Sequence, residues 1–345
     1  MIITRAPVRI SLAGGGTDLE AYYGSHGGMV ISATIDKYFY VFVNVDDRDN
    51  IQISSSDYRT FYRTTPGEPV LWEGDLSLPR AILDHFGVQR GVSMFLASEV
   101  PPGTGLGSSS TVTVAVSKAV AALCSRTLTK AELAEQACWI EIEKLGMPIG
   151  KQDQYAAAFG GMNQFVFRRE GVQVTPLRLA PATRRQLERS LLLFYTGAAH
   201  DSSHILGKQQ EASLRGNHDV LRALHAVKGL AHQVKDILER GDLRGFAALL
   251  DQNWQHKKRF APGVSSPQID DWYEMALQHG ALGGKIAGAG GGGFLMLYCE
   301  QPDQDRLTAA LEGSGLRRMD YRFESQGAQI LVNSGLKIQD VYYAA

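Results

Sequence analysis

Cysteine is nearly absent from this chain of 345 residues: Cys124, Cys138 and Cys299 stand far apart, in no CxxC or Cys/His spacing. That excludes a disulfide framework and a thiolate zinc site, and points to a reducing compartment, the cytoplasm. Long apolar runs are missing as well. The opening MIITRAPVRISLAGGG is interrupted by Arg5, Pro7 and Arg9, so neither a signal peptide nor a membrane span is expected, and folding should begin at residue 1 or 2. There is no excess of one charge. The 35 Lys and Arg against 36 Asp and Glu leave a net charge of −1 with no basic stripe, which argues against a nucleic-acid partner. No Pro/Ser linker, internal repeat or low-complexity tract divides the sequence. HRD and DFG segments are absent, which excludes a protein kinase.

What the chain does have in quantity is glycine. Its 37 glycines cluster at 14–16, 103/105/107, 146/150, 160–161 and 283–293. Fixing a glycine costs conformational entropy, so such clusters mark tight turns or places where backbone approaches a ligand. At this length, with 44% hydrophobic residues, two cores are expected, hence two domains and a cleft, with domains 1–185 and 186–345. Residues 28–45 are β-branched and aromatic and read as two strands joined near Asp36-Lys37; with residues 2–12 they suggest a mixed sheet. VSMFLA at 92–97 is a strand that runs into PPGTGLGSSS and then into the helical pattern TVTVAVSKAVAALC. Further helices fit residues 130–145 and the stretch from about 150, and residues 160–179 read as a hairpin. After the buried strand SLLLFYTG the pattern is helical from 204 to 280. The remaining strand–helix–strand alternation, residues 318–324 and 329–332 included, is expected to close an α+β second domain.

Residues 103–110, GTGLGSSS, stand between a strand and a helix N-terminus, where successive backbone N–H groups make a concave, partly positive cradle for phosphate. This is not a Walker A loop, because serine follows the last glycine where lysine is needed; nor is it GxGxxG, since the third glycine comes too early. Ser108, Ser109 and Ser110 offer hydroxyls to phosphate oxygens or to Mg²⁺. Glu141 lies twelve residues before Asp153 in a stretch that turns back through GMPIG, so both carboxylates can reach one site, one for Mg²⁺ and one for an acceptor hydroxyl. Asp153 falls just inside a helix start, where the dipole suits a carboxylate that orients or deprotonates a hydroxyl. In RAPVRISLAGGGTD an extended strand puts Arg9 and Ser11 on one face. Arginines there serve a transferring phosphate or hold a catalytic aspartate, and Asp18, after three glycines, is expected to be exposed and suited to sugar hydroxyls.

RAPVRISLAGGGTD, PPGTGLGSSS and KIAGAGGGGF together resemble the three motifs of the GHMP kinase superfamily, in the family's order and across nearly the whole chain. The resemblance implies an α+β, two-domain GHMP kinase fold, with a ribosomal-protein-like N-terminal ATP-binding domain and a ferredoxin-like C-terminal domain. It implies an ATP-dependent sugar kinase using Mg²⁺. By the same resemblance Asp153 is the catalytic aspartate and Arg9 its partner. Pro102, Gly103, Gly105, Leu106, Gly107, Ser108, Ser109 and Ser110 then surround the ATP phosphates. Ser109 and Glu141 hold Mg²⁺, with Ser108 not separable from Ser109. Gly15, Gly16, Thr17, Asp18 and Gly150, with Asp153, meet the sugar. Lys285, Gly288, Gly290, Gly291 and Gly292 support the phosphate loop.

Within the family, AGGGTDLEAYY, TIDKY and NWQHKKRFAPGVSSPQID are most similar to the branch that phosphorylates D-glycero-D-manno-heptose 7-phosphate for bacterial surface polysaccharide. Fucokinase-type enzymes share an AGG-x-[ST]-D motif and are the nearest competitor. The implied partners are a sugar phosphate and ATP, with no nucleic acid and no membrane; a homo-oligomer is left open. Candidate contacts for the 7-phosphate are Lys37, Arg48, His200, Lys208, Lys257, Lys258 and Arg259, and Trp72 is a candidate adenine wall. A catalytically silent sugar and ATP sensor is the alternative from a different class; the presence of Asp153, Glu141, Arg9 and the serines speaks against it.

Overall fold

Along β1 (Ile2–Ala13) alternating burial gives way to complete burial from Ala6 onward, the pattern of a strand that enters the middle of a molecule. The computed structural model describes residues 1–45, 49–57, 59–64, 74, 76–197 and 202–338; Arg48, Trp72 and His200 lie outside the described residues. After β1 come α1 (Glu20–His26), β2 (Gly28–Val45), β3 (Ile51–Ser55), β4 (Thr60–Arg63), α2 (Ser77–His85) and β5 (Val92–Ser98). Then follow α3 (Ser108–Leu123), α4 (Lys130–Cys138), α5 (Gln152–Phe159), β6 (Met162–Arg168) and β7 (Gly171–Pro176). The strands form one mixed sheet in which β3 and β5 run parallel and the other pairs antiparallel. Helix α3 is rich in valine and threonine, poor helix formers, yet twelve of its residues are buried against the sheet and its neighbours, so packing overrides propensity.

Two local expectations change. Residues 28–45 form one strand rather than two: its first part pairs with β6, from Gly28↔Phe167 to Ala33↔Met162, and its last part with β5, from Phe39↔Ser98 to Val45↔Val92. Asp36 lies at the change of partner, and its N–H and carboxylate meet the backbone of Arg322 instead of closing a turn. The helix expected over 130–145 is α-helical only to Cys138 and continues as a π-helical turn, Trp139–Lys144. Single π turns recur at functional sites because they swing a side chain out of helical register. This one carries Glu141.

The second layer comprises α6 (Pro181–Ser190), β8 (Leu191–Tyr195), α7 (Ser202–Leu214), α8 (His218–Arg240), α9 (Leu243–Lys257), α10 (Pro267–Gln278), β9 (Ala281–Ile286), β10 (Phe294–Cys299), α11 (Gln304–Gly313) and β11 (Arg317–Met319). Its sheet is antiparallel in the order β11-β8-β10-β9. Asn217, Asp242 and Ser266 cap α8, α9 and α10 through their side chains, which fixes where each long helix starts. The last strand, β12 (Gln329–Asn333), leaves this layer and pairs antiparallel with β1, covering an edge that would otherwise be open. Between the layers Val8, Ile10 and Leu12 of β1 meet Leu230 and Val234 of α8, Phe246 and Leu250 of α9, and Phe294 of β10. Each such buried side chain contributes about 1.5–3 kcal/mol, so this apolar seam holds the walls of the adjoining cleft in place. Among the described residues no helix is long and apolar enough to cross a membrane.

Candidate active site

Gly103, Gly105 and Gly107 have φ of 70°, 78° and 77°, which lets the chain fold back after β5 and present backbone N–H groups at the start of α3. Close approach also requires glycine at Gly105, where a Cβ would stand 2.5 Å from the carbonyl oxygen of Ala287. The glycine run after β9 lies flat against this loop: Gly288 packs on Gly105 and Gly293 on Thr104. Gly290 packs on Val264, whose carbonyl accepts from the Gly291 N–H at 2.8 Å. Lys285, at the end of β9, is buried; burial first, then Lys257 and Arg9, push it well below the ordinary lysine range.

Arg9 reaches this loop from β1. Its backbone N–H donates to Leu106 O at 3.0 Å and its Nη1 to Gly105 O at 2.6 Å. Its Nε and Nη2 donate to the two carboxylate oxygens of Asp153 at 2.7 and 2.6 Å, a bidentate fork that fixes the orientation of the carboxylate. Asp153 is in the first turn of α5 and keeps 22% of its side chain accessible, while Arg9 is buried. Leu106 faces the core, so within the predicted phosphate loop it is an anchor rather than a wall.

Asp18 is buried rather than exposed, at 4% accessibility. Its oxygens accept from the backbone N–H groups of Gly16 at 2.9 Å and Gln152 at 3.2 Å. Burial, with Asp153 nearby, raises its pKa, and the two N–H groups act the other way. Gly150 lies so close to that carboxylate that any Cβ would collide with it, which accounts for glycine at this position. Thr17 is fully buried, its hydroxyl committed to Gly14 O, Met29 O and Met29 N, so it shapes the turn from beneath. Gly15 and Gly16 line the cleft itself.

Glu141 is fully buried behind the serines. Gln154 Nε2 donates to its Oε2, Ser110 and Thr113 hydroxyls stand beside it, and its Oε1 has no hydrogen-bond partner among the described residues. Desolvation lifts its pKa to about 7, with Asp153 adding to the rise and the neighbouring donors opposing it. A group raised in the folded state stabilises the fold fully below its unfolded pKa and loses that contribution as pH rises through the folded value. We expect Glu141→Gln to raise the thermal midpoint of the metal-free protein by about 3–6 °C near pH ~8, with little change near pH ~4.5. Equal shifts at both pH values in scanning calorimetry would refute the buried-charge account.

These elements surround a cleft of about 520 Å³ lined by Arg9, Asp18, Gly150, Asp153, Gly288 and the glycine–serine loop. Glu141, Thr17, Lys285 and Leu106 stand behind the wall rather than in it. From the second layer Gln209 donates to Gly16 O at 3.0 Å, Phe260 packs on Gly16, and Lys257 enters the lining. Sequence reasoning did not find Gln209, Phe260 or Gln152; the last is the neighbour of Asp153, and its Oε1 has no partner among the described residues. Only Gln152 had a local signal, its place beside Asp153. Of the predicted basic contacts, Lys208 and Arg259 are exposed and Lys258 pairs with Asp270.

Residues 77–161 match the N-terminal domain of GHMP kinases and residues 234–315 their C-terminal domain. Over 334 residues the chain is 33% identical to the D-glycero-alpha-D-manno-heptose 7-phosphate kinase of Campylobacter jejuni, a match spanning 95% of this chain and 98% of that one. The chain belongs to the GHMP kinase family. As a GHMP kinase it is an ATP-dependent sugar kinase with the family's two-domain fold. Another GHMP-fold relative is the crystal structure of a D-glycero-D-manno-heptose 1-phosphate kinase from Bacteroides thetaiotaomicron, at TM-score 0.80 and 28% identity over 96% of this chain and 99% of that one. The L-fucokinase/L-fucose-1-P guanylyltransferase of Bacteroides fragilis is 25% identical over 86% of this chain, which spans 34% of that protein.

Proposed function

We propose that this kinase transfers the γ-phosphoryl group of ATP to the anomeric hydroxyl of D-glycero-D-manno-heptose 7-phosphate, giving the 1,7-bisphosphate in the cytoplasm on the way to GDP-heptose for a surface polysaccharide. The observation that carries this reading is the full-length similarity to the Campylobacter jejuni kinase of that name. Asp153 accepts a hydrogen bond from the anomeric hydroxyl and takes its proton as the new P–O bond forms and the bond to the β,γ-bridging oxygen breaks, releasing ADP. Arg9 holds Asp153 in line. The anomeric hydroxyl is more acidic than an ordinary alcohol, so positioning carries most of the rate. Gly15, Gly16 and Asp18 face the sugar, and Pro102 with the glycines and serines of residues 103–110 cradles the phosphates.

A buried carboxylate whose Oε1 has no hydrogen-bond partner among the described residues, beside a serine that lines the cleft, is the chemistry expected of a divalent-cation ligand set. Glu141 with Ser110 or Ser109 would hold Mg²⁺, which neutralises phosphate charge when bound. Glu141 then needs to be ionised, which Gln154, Ser110 and Thr113 favour.

The names of the two heptose-kinase relatives place the substrate phosphate differently, at position 7 and at position 1, so the acceptor panel must include both heptose phosphates with L-fucose, galactose, mannose and mevalonate. With Mg²⁺ and ATP, ADP release is expected to be fastest with the 7-phosphate, by about tenfold or more in kcat/KM. Faster turnover of L-fucose would move the assignment to the fucokinase type.

A further inference from the structure

Lys257, one of several basic residues the sequence offered as candidate contacts for the 7-phosphate, is buried at the end of α9 and lines the cleft. Its ammonium donates to the carbonyl oxygens of Ile286, at 3.3 Å, and Gly288. These two carbonyls open the glycine run that backs the phosphate loop. Gly288 packs on Gly105, Gly105 O receives Arg9 Nη1, and Arg9 forks onto Asp153. Lys257 thus stands at the second-layer end of a continuous chain of contacts that reaches the candidate base.

The charges around it are unbalanced. Asp18 faces Lys257 with opposite sign, while Arg9 and Lys285 face it with the same sign. Among the described residues neither Lys257 nor Lys285 makes an ion pair within 4.0 Å, whereas Arg9 does. A buried ammonium held only by carbonyl dipoles is costly, and the cost falls when an anion arrives. A bound polyphosphate beside the glycine loop is such an anion.

We propose that Lys257 is a positioning residue of the phosphoryl transfer, which in its protonated form fixes the carbonyls of Ile286 and Gly288 behind the phosphate loop and adds the positive charge that a bound polyphosphate requires from the second layer. This deepens the sugar-kinase reading and rests on its nucleotide half, not on the identity of the acceptor. Burial, with Arg9 adding to it and Asp18 opposing, lowers the lysine to about 7 in the free protein. An anion favours the protonated form. Nucleotide binding therefore draws a proton onto Lys257 above that value, and affinity weakens as pH rises beyond it. Glu141 titrates in the same range, so the decisive quantity is the difference between wild type and variant.

The test is calorimetric titration of the full chain with ADP, near pH ~8, in two buffers of different ionisation enthalpy, for wild type, Lys257→Met and Lys257→Gln. Both variants are expected to take up less than about half the protons that wild type takes up, and to show a flatter decline of ADP affinity between pH ~7 and ~9. Turnover with ATP and the best acceptor should fall about 100-fold in each variant. Lys257→Gln keeps a donor for the two carbonyls without a charge, so it separates loop packing from charge. Folded variants with wild-type proton uptake and pH dependence, or with kcat within about threefold of wild type, overturn the proposal. Should neither variant fold, absence of proton uptake by wild type overturns it. ADP binding needs no acceptor: a proton-uptake difference that persists when no panel sugar turns over supports Lys257 and removes only the acceptor assignment.

Discussion

Asp153→Asn is expected to lower kcat by about 10³-fold while ADP affinity stays within about threefold of wild type. The reason lies in the fork from Arg9. A carboxylate offers two acceptors to Nε and Nη2, and an amide offers one, turning its NH₂ toward a guanidinium N–H. The substitution therefore removes the proton acceptor and also frees Arg9 to rotate in a site where it is buried. In the proposed reading the nucleotide is cradled largely by backbone of residues 103–110 and depends little on Asp153. Rapid-quench turnover and ADP titration, done on the same preparation, check both halves. A kcat within about tenfold of wild type would take Asp153 out of the proton-transfer role.

Gly288→Ala is expected to raise the KM for ATP by about 100-fold and to lower the thermal midpoint by several degrees, about 2–3 kcal/mol of stability. Gly288 has φ of +63°, and a Cβ there would stand 2.5 Å from the Cα of Gly105, backbone against backbone. No flexible side chain can move aside, so the phosphate loop itself must shift, and with it the Gly105 carbonyl that steadies Arg9. A displacement near ~1 Å in a positioning site costs about two orders of magnitude. Gly229→Ala is the control, because Gly229 lies inside α8 with no atom within 4 Å of the added Cβ. That change should leave KM alone and raise stability by about 0.5–1 kcal/mol. Equal KM values for the two variants would mean that the glycine run is a turn and nothing more.

By itself the sequence determined the parts whose chemistry is local. A strand followed by GTGLGSSS and a helix reads as a candidate phosphate cradle because spacing and positive-φ glycines are properties of a few consecutive residues. Asp153 inside the start of α5 was legible for the same reason. The Arg9–Asp153 pairing spans 144 residues and was legible only through likeness to a family; no local pattern encodes it. Tertiary structure alone decided the rest. It made residues 28–45 one strand by giving each end a different neighbour, and it drew β12 back to β1. It opened a π turn that carries Glu141, buried and with no partner for one oxygen among the described residues. It buried Asp18, and it changed Lys257 from one basic residue among many into a cleft-lining ammonium held by two carbonyls. Burial and charge environment are set by what the whole chain packs around a group, and residues distant in sequence supply most of that surrounding.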